Sequence, residues 1–116
     1  MLQRDRDILE HMIRYCDRVA GYLGKLDSDR GRFEEDLMCQ DACCMCIAQI
    51  GELSGHLTDE FKTAHPDLPW REIKDTRNFY VHNYGGVDLE YVWNTMTVDL
   101  LVLKQHCLEY LQEGQA

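Results

Sequence analysis

Four side chains in the stretch DTRNFYVHNYGG, residues 75–86, are of the types that phosphodiester chemistry uses: Arg77, Asn78, His82 and Tyr84. An arginine can hold a phosphate and stabilise charge on its non-bridging oxygens, and a histidine can exchange protons near neutral pH. Cleavage of RNA needs no nucleophile from the protein, because the ribose 2′-hydroxyl supplies one. These residue types therefore point to RNA phosphodiester cleavage centred on Arg77 and His82. A structural salt bridge of Arg77 and a helix-capping His82 are the alternative.

The stretch is predicted to end a helix that begins at Pro69 and stops at Gly85-Gly86. On such a helix Arg77 and His82 are about 140° apart around the axis and do not share a face, whereas Asn78 and His82 do. A site that uses both Arg77 and His82 would need a cleft between helices, an arginine that reaches around its helix, or a second subunit.

The rest of the chain predicts an all-α fold. Apolar residues recur at steps of three and four, the period of a helix with one buried face, and no window shows the alternation of a strand. The predicted helices run from Asp5 to Leu26, from Phe33 to about Leu53, from Asp59 to Ala64 after a Thr58 cap, from Pro69 onward, and from an Asp88 cap to about Leu111. We expect an up-and-down bundle of four long helices plus one short helix, forming a single domain over residues 1–116.

Charge limits the partners of the chain. The net charge is −9 over 116 residues, which argues against broad electrostatic binding of nucleic acid. Residues 62–82 differ, with four cations and three carboxylates for a net charge of +1. This region can admit a phosphate, and the acidic remainder would suit a basic partner. No apolar run is long enough to span a bilayer and the N-terminus lacks a signal-peptide core, so we expect a cytoplasmic protein without membrane contact.

Six cysteines raise the question of a metal site. Four of them lie within residues 39–46 on one predicted helix, where neighbouring side chains diverge and pair poorly as disulfides. One helix face seldom supplies four tetrahedral ligands, and there is no second C-x-x-C motif to complete a pair of such motifs. Buried thiols in a helix core are favoured over a metal site. We expect neither a metal nor a cofactor.

The motif R-x4-H-x-Y, formed by Arg77, His82 and Tyr84, resembles that of the HepT-like branch of the HEPN superfamily. The flanking segments agree with this resemblance, which covers nearly the whole chain from about Arg4 to Leu111. They are PWREIKDTRNFYVHNY, the following GVDLEYVWNTMTVDL and the upstream FEEDLMCQDACCMCIAQIGELSGHLTDEF. The cysteine-rich DACCMC segment and the Asp75-Thr76 pair before the arginine depart from the pattern.

The resemblance implies a homodimeric HEPN-like bundle that brings two such motifs together at a shared cleft. It further implies a metal-independent endoribonuclease, the toxin of a toxin–antitoxin pair, whose partner is an MNT-type nucleotidyltransferase antitoxin. Carried over by position, Arg77 and His82 are the catalytic pair and Asn78 is a supporting polar residue. Tyr84 is the residue to which the antitoxin transfers AMP. The alternative is a non-catalytic HEPN module that only binds a nucleotidyltransferase.

Overall fold

The computed structural model describes residues 1–77, 80–81 and 86–114, and helices account for most of them. The helices are α1 (Gln3–Gly24), α2 (Arg30–Glu35), α3 (Leu37–Gly55), α4 (Asp59–Ala64), α5 (Trp70–Lys74), α6 (Leu89–Asn94) and α7 (Leu100–Glu113). A 3-10 turn (Asp75–Arg77) follows α5, and a π-helical segment (Thr95–Asp99) joins α6 to α7. Strands β1 (Tyr80–Val81) and β2 (Gly86–Val87) pair antiparallel. The predicted all-α bundle is confirmed.

The core lies where α1 packs against α3 and α7. Each of these helices turns one apolar stripe inward, as their three- and four-residue spacing predicts. The side chains with almost no exposed surface include Leu9, Met12, Val19, Phe33, Ile47, Ile50, Val92 and Cys107. Full burial of a side chain of this size contributes about 1.5–3 kcal/mol. Among the described residues, no helix is both long and apolar enough to cross a membrane.

Side-chain caps fix where four of the helices begin. Asp29, Asp36, Thr58 and Asp88 each accept a hydrogen bond from the backbone N–H three residues later, at 3.0, 2.8, 3.2 and 3.1 Å. Such caps satisfy helix donors that have no partner within the helix. The predicted caps at Thr58 and Asp88 are confirmed. The single helix predicted from Phe33 is wrong, because the extended backbone of Asp36 separates α2 from α3.

The helix predicted from Pro69 to the glycine pair is also wrong. Helix α5 ends at Lys74, the chain continues as a 3-10 turn, and residues 80–81 are extended. One physical reason lies in Thr76, whose hydroxyl donates to the carbonyl of Ile73 at 2.7 Å, a local bond that competes with regular helix. The aromatic and β-branched residues that follow favour an extended backbone. With the break at Asp36, the described residues form three long helical stretches and three short helices.

Candidate functional site

The structure describes the segments that flank the predicted site. Arg77 is the last residue of the 3-10 turn. Asn78, His82 and Tyr84 lie outside the described residues. The prediction that Arg77 and His82 diverge on one helix no longer applies, because regular helix ends before Arg77.

The turn that carries Arg77 is seated directly on helix α3. A Cβ built on Gly51 would lie 2.9 Å from the Thr76 hydroxyl and 3.1 Å from the carbonyl oxygens of Ile73 and Lys74. Real Cβ atoms hardly ever come this close, so only glycine allows the present contact. Gly51 therefore sets the distance between the backbone of α3 and the turn that ends at Arg77.

The two short strands hold the other side of the motif segment. Tyr80 pairs with Val87 and Val81 pairs with Gly86, so the backbone positions on either side of residues 82–85 lie next to each other. Those four positions include His82 and Tyr84. The segment is thus joined to the fold at both ends, by the 3-10 turn and by the strand pair.

An apolar pocket of about 460 Å³ lies between the turn that ends at Arg77 and the last helical stretch, which comprises α6, the π-helical segment and α7. Its lining includes Ile73, Thr76, Tyr91, Thr95, Val102 and Leu103. Thr95 is fully buried, and its side chain lies beside that of Tyr91 in this lining. The pocket is open to solvent beside exposed apolar side chains of the last helical stretch, and it lies next to the turn that ends at Arg77.

A second, polar groove lies on the other side of α5. It has a volume of about 400 Å³, and its lining is Ser54, Gly55, Lys62, Trp70, Arg71, Lys74 and Asp75. Three cations and one carboxylate give this lining a formal charge of +2, in a chain whose net charge is −9. The sequence showed a less acidic region here, but it did not show that Lys62 faces the same groove as the two cations of α5.

The cysteines behave as buried thiols. Cys43, Cys46 and Cys107 are fully buried, and only Cys39 is half-exposed, its sulfur 3.9 Å from that of Cys43. Burial raises the pKa of Cys44 to about 11 and that of Cys107 to about 12, since a thiolate is poorly solvated there. Within residues 1–77, 80–81 and 86–114, no group of three or more His, Cys, Asp or Glu side chains could hold a metal ion.

Comparison with known proteins gives one family and several relatives. A family model described as "Ribonuclease HepT-like" matches residues 12–110. "Probable ribonuclease HepT" of Thermococcus cleftensis is 38% identical over 74 residues, which cover 60% of this chain and 67% of that protein. "Putative RNase TTE0752" of Caldanaerobacter subterraneus subsp. tengcongensis is 27% identical over 112 residues, or 97% of this chain and 98% of that protein. No solved structure gives a significant match.

Proposed function

This chain belongs to the HepT-like ribonuclease family, and we propose that it is a metal-independent endoribonuclease with Arg77 and His82 as its catalytic pair. The observation that carries the proposal is the family match over residues 12–110, a range that includes the whole R-x4-H-x-Y motif. The seating of the Arg77 turn on Gly51 supports it, because a catalytic side chain needs a rigidly positioned backbone.

In the proposed reaction the ribose 2′-oxygen attacks the adjacent phosphorus and the bond from phosphorus to the 5′-oxygen of the next nucleotide breaks. His82 accepts the 2′-hydroxyl proton while water protonates the leaving 5′-oxygen, or His82 protonates that oxygen while water accepts the 2′-hydroxyl proton. Arg77 binds the non-bridging phosphate oxygens and stabilises their charge, while Asn78 supports the site as a hydrogen-bonding group. The products are a 2′,3′-cyclic phosphate and a free 5′-hydroxyl.

We further propose that two copies of the chain form the active enzyme. The last helical stretch leaves large apolar side chains exposed, among them Val98, Leu101 and Val102, with exposed fractions of 50%, 62% and 49%. Val102 lines the apolar pocket together with Thr76, and Val98 and Leu101 are next in sequence to lining residues of the same pocket. A second copy seated on this surface would bury apolar area and lie beside the turn that ends at Arg77.

The proposed setting is a toxin–antitoxin pair in which an MNT-type nucleotidyltransferase is the antitoxin. The antitoxin is proposed to transfer AMP from ATP to Tyr84. In this transfer the Tyr84 hydroxyl oxygen attacks the α-phosphorus of ATP, pyrophosphate leaves, and the phenolic proton is lost to solvent. The attached AMP adds negative charge and bulk close to the catalytic pair in sequence. An RNA phosphate would then be repelled and sterically blocked, which accounts for neutralisation.

The proposed catalysis is tested with purified protein and single-stranded RNA in the presence of EDTA. Wild type should cleave the RNA, and His82→Ala and Arg77→Ala should each lower the rate by at least about a hundredfold. His11→Ala, a change of an exposed histidine on α1, is the matched control and should keep full activity. Cleavage that survives His82→Ala would refute its role, and an inactive wild type that still binds a nucleotidyltransferase would favour the non-catalytic module.

The proposed modification has its own experiment. Co-expression with a nucleotidyltransferase encoded next to this chain should increase its intact mass by whole AMP units. Tyr84→Phe should abolish the increase, while Tyr22→Phe, a change of a half-buried tyrosine on α1, should retain it. An unchanged mass with an active nucleotidyltransferase would contradict AMP transfer and leave the cleavage result untouched.

A further inference from the structure

The polar groove beside α5 gathers cations that have few partners in the fold. Neither Arg71 nor Lys74 forms an ion pair with any carboxylate of the described residues, and Lys62 lies 3.8 Å from Asp59, whose side chain is fully exposed. An exposed pair of that kind contributes little, so Lys62 can also bind an outside anion. The one carboxylate of the lining is Asp75.

The groove is built into the packing of α3 and α5. The Cγ, Cδ and Cε atoms of Lys74 lie 3.8, 3.7 and 3.6 Å from the position of a Cβ on Gly55, so the Lys74 stem rests on the bare backbone of α3. Trp70 forms another wall, and its indole N–H donates to the carbonyl of His65 at 2.8 Å. Two of the groove's walls are thus fixed by contacts within the protein, and the groove is available to a ligand without rearrangement.

The groove is continuous with the proposed catalytic turn. Arg71 and Lys74 are one turn apart on α5, on the same face of that helix, and Arg77 follows at the same three-residue interval at the end of the 3-10 turn. In sequence, Arg71, Lys74 and Arg77 therefore form a regular series of cationic positions that leads toward the proposed catalytic pair. The residues outside the groove lining carry a net charge of −11, which is −9 minus the +2 of the lining, and on balance would repel the same strand.

We propose that this groove, lined by Lys62, Arg71 and Lys74, binds the phosphate backbone of single-stranded RNA next to the scissile linkage. The proposal rests on the proposed function in taking RNA as the ligand, and it assigns the three cations to positioning, since none is required to touch the reacting atoms. Phosphate contacts of this kind set register and affinity without reading sequence. RNA binding would then weaken as the salt concentration rises, and this weakening would arise from the cations of this one groove.

The test measures binding alone, with a short fluorescent single-stranded RNA that carries 2′-O-methyl groups and cannot be cleaved through a 2′-hydroxyl. Fluorescence anisotropy gives the dissociation constant of wild type and of the double variant Arg71→Gln/Lys74→Gln. The matched control is Arg14→Gln/Lys25→Gln, which removes two exposed cations at α1. The control and the groove variant therefore have the same net charge. Circular dichroism verifies that all proteins remain folded.

We expect the groove variant to bind about tenfold more weakly at about 0.1 M salt, with the salt slope reduced by about 0.7 for each lost phosphate contact. The control should remain within about twofold of wild type. Equal weakening in the control would overturn the proposal in favour of diffuse charge, and so would binding by the groove variant that equals wild type. Displacement of the RNA by polyglutamate at equal charge concentration would reassign the groove to an acidic protein.

The binding test and the cleavage test fail independently. If wild type cleaves no RNA but its binding still requires Arg71 and Lys74, the catalytic proposal fails and the groove stands. If wild type cleaves RNA and the groove variant has unchanged affinity and unchanged KM, the groove proposal fails and the catalytic one stands.

Discussion

The Thr76 hydroxyl lies 2.9 Å from the position that a Cβ on Gly51 would occupy, with two backbone carbonyls only slightly further away. Gly51→Ala therefore must displace the turn that ends at Arg77. We expect it to lower the free energy of unfolding by about 1–2 kcal/mol, since overpacking outweighs the better helix propensity of alanine. RNA cleavage should fall by about tenfold to a hundredfold, because a small shift of a catalytic group is costly.

The same helix offers a matched control for this prediction. A Cβ on Gly55 would make only ordinary contacts, the nearest at 3.6 Å from the Lys74 stem. Gly55→Ala should keep stability and cleavage close to wild type, measured by urea unfolding and by initial rates. Thr76→Ala added to Gly51→Ala should recover only part of the loss, because the carbonyls of Ile73 and Lys74 stay in place. Equal effects of the two glycine changes would contradict the role of Gly51.

The buried carboxylate of Asp5 connects the start of α1 to the start of α4. It accepts hydrogen bonds from the Thr58 backbone N–H at 2.9 Å and from the Thr58 hydroxyl at 2.7 Å, while being only 2% exposed. Asp5→Ala leaves those two donors without their acceptor at a partly buried position, so unfolding should be easier by about 1–3 kcal/mol. Asp7→Ala removes an exposed carboxylate of the same helix and should change stability by less than about 0.5 kcal/mol. Urea titrations that show similar losses for both would refute this assignment.

Buried thiols should make the fold sensitive to alkali. Burial raises the pKa of Cys16 and Cys107 to about 12, whereas an unfolded thiol ionises near pH 9. Above that pH the unfolded chain has lost protons that the native chain retains, so the free energy of unfolding falls as pH rises. Each such thiol contributes a slope of up to about 1.4 kcal/mol per pH unit. Urea unfolding in reductant from neutral pH upward measures this slope.

One thiol can be removed to separate ionisation from packing. Cys107→Ala should be less stable at neutral pH because it leaves a cavity, yet its stability should fall less steeply above pH 9. Val19→Ala creates a cavity at a fully buried position without a titrating group, and it should keep the full alkaline slope. An unchanged slope in Cys107→Ala would show that the Cys107 thiol does not contribute.

The sequence predicted the parts of the fold that depend on local signals. Periodicity gave the three long helical stretches, and the residue types at Thr58 and Asp88 gave their caps. The break at Asp36 was not predicted, although aspartate is a common cap, because the apolar pattern runs across it. The turn after α5 makes a close contact between Thr76 and Gly51, a tertiary contact between residues far apart in sequence that local signals do not show.

For the candidate site, too, the sequence predicted only what depends on local signals. Motif spacing alone predicted Arg77 and His82 as the catalytic pair, which stays a prediction, whereas the regular helix expected to carry Arg77 ends at Lys74. The groove had one sequence signal, the small positive charge of residues 62–82. That signal could not show that Lys62 faces Arg71 and Lys74, since α4 and α5 are separate helices joined by a loop. Gly51 and Gly55 let the turn and the Lys74 stem approach α3, and neither role follows from a local sequence pattern.

The hydroxyl of Tyr110 donates to a carboxylate oxygen of Asp67 at 2.6 Å, and this bond is the main reason that the pKa of Asp67 lies below its usual value. The resulting stabilisation is present above pH 4 and is lost as pH falls through the lowered pKa. Tyr110→Phe should reduce stability at neutral pH, and its difference from wild type should shrink in acid. Tyr15→Phe, which keeps the ring beside Arg18, should leave the acid profile unchanged. A difference that is constant from pH 7 to pH 3 would contradict this account.

Leu101 is 62% exposed on α7, between Leu100 and Val102, which line the apolar pocket beside the turn that ends at Arg77. If two copies meet on this surface, Leu101→Glu buries an unpaired charge at their contact and should convert the dimer into monomers, with RNA cleavage lost. Leu37→Glu makes the same change at a 73% exposed position at the start of α3 and should leave a fully active dimer. Sedimentation velocity over a range of concentrations, together with cleavage rates, measures both effects. A Leu101→Glu protein that stays dimeric and active would place the contact between copies on another face.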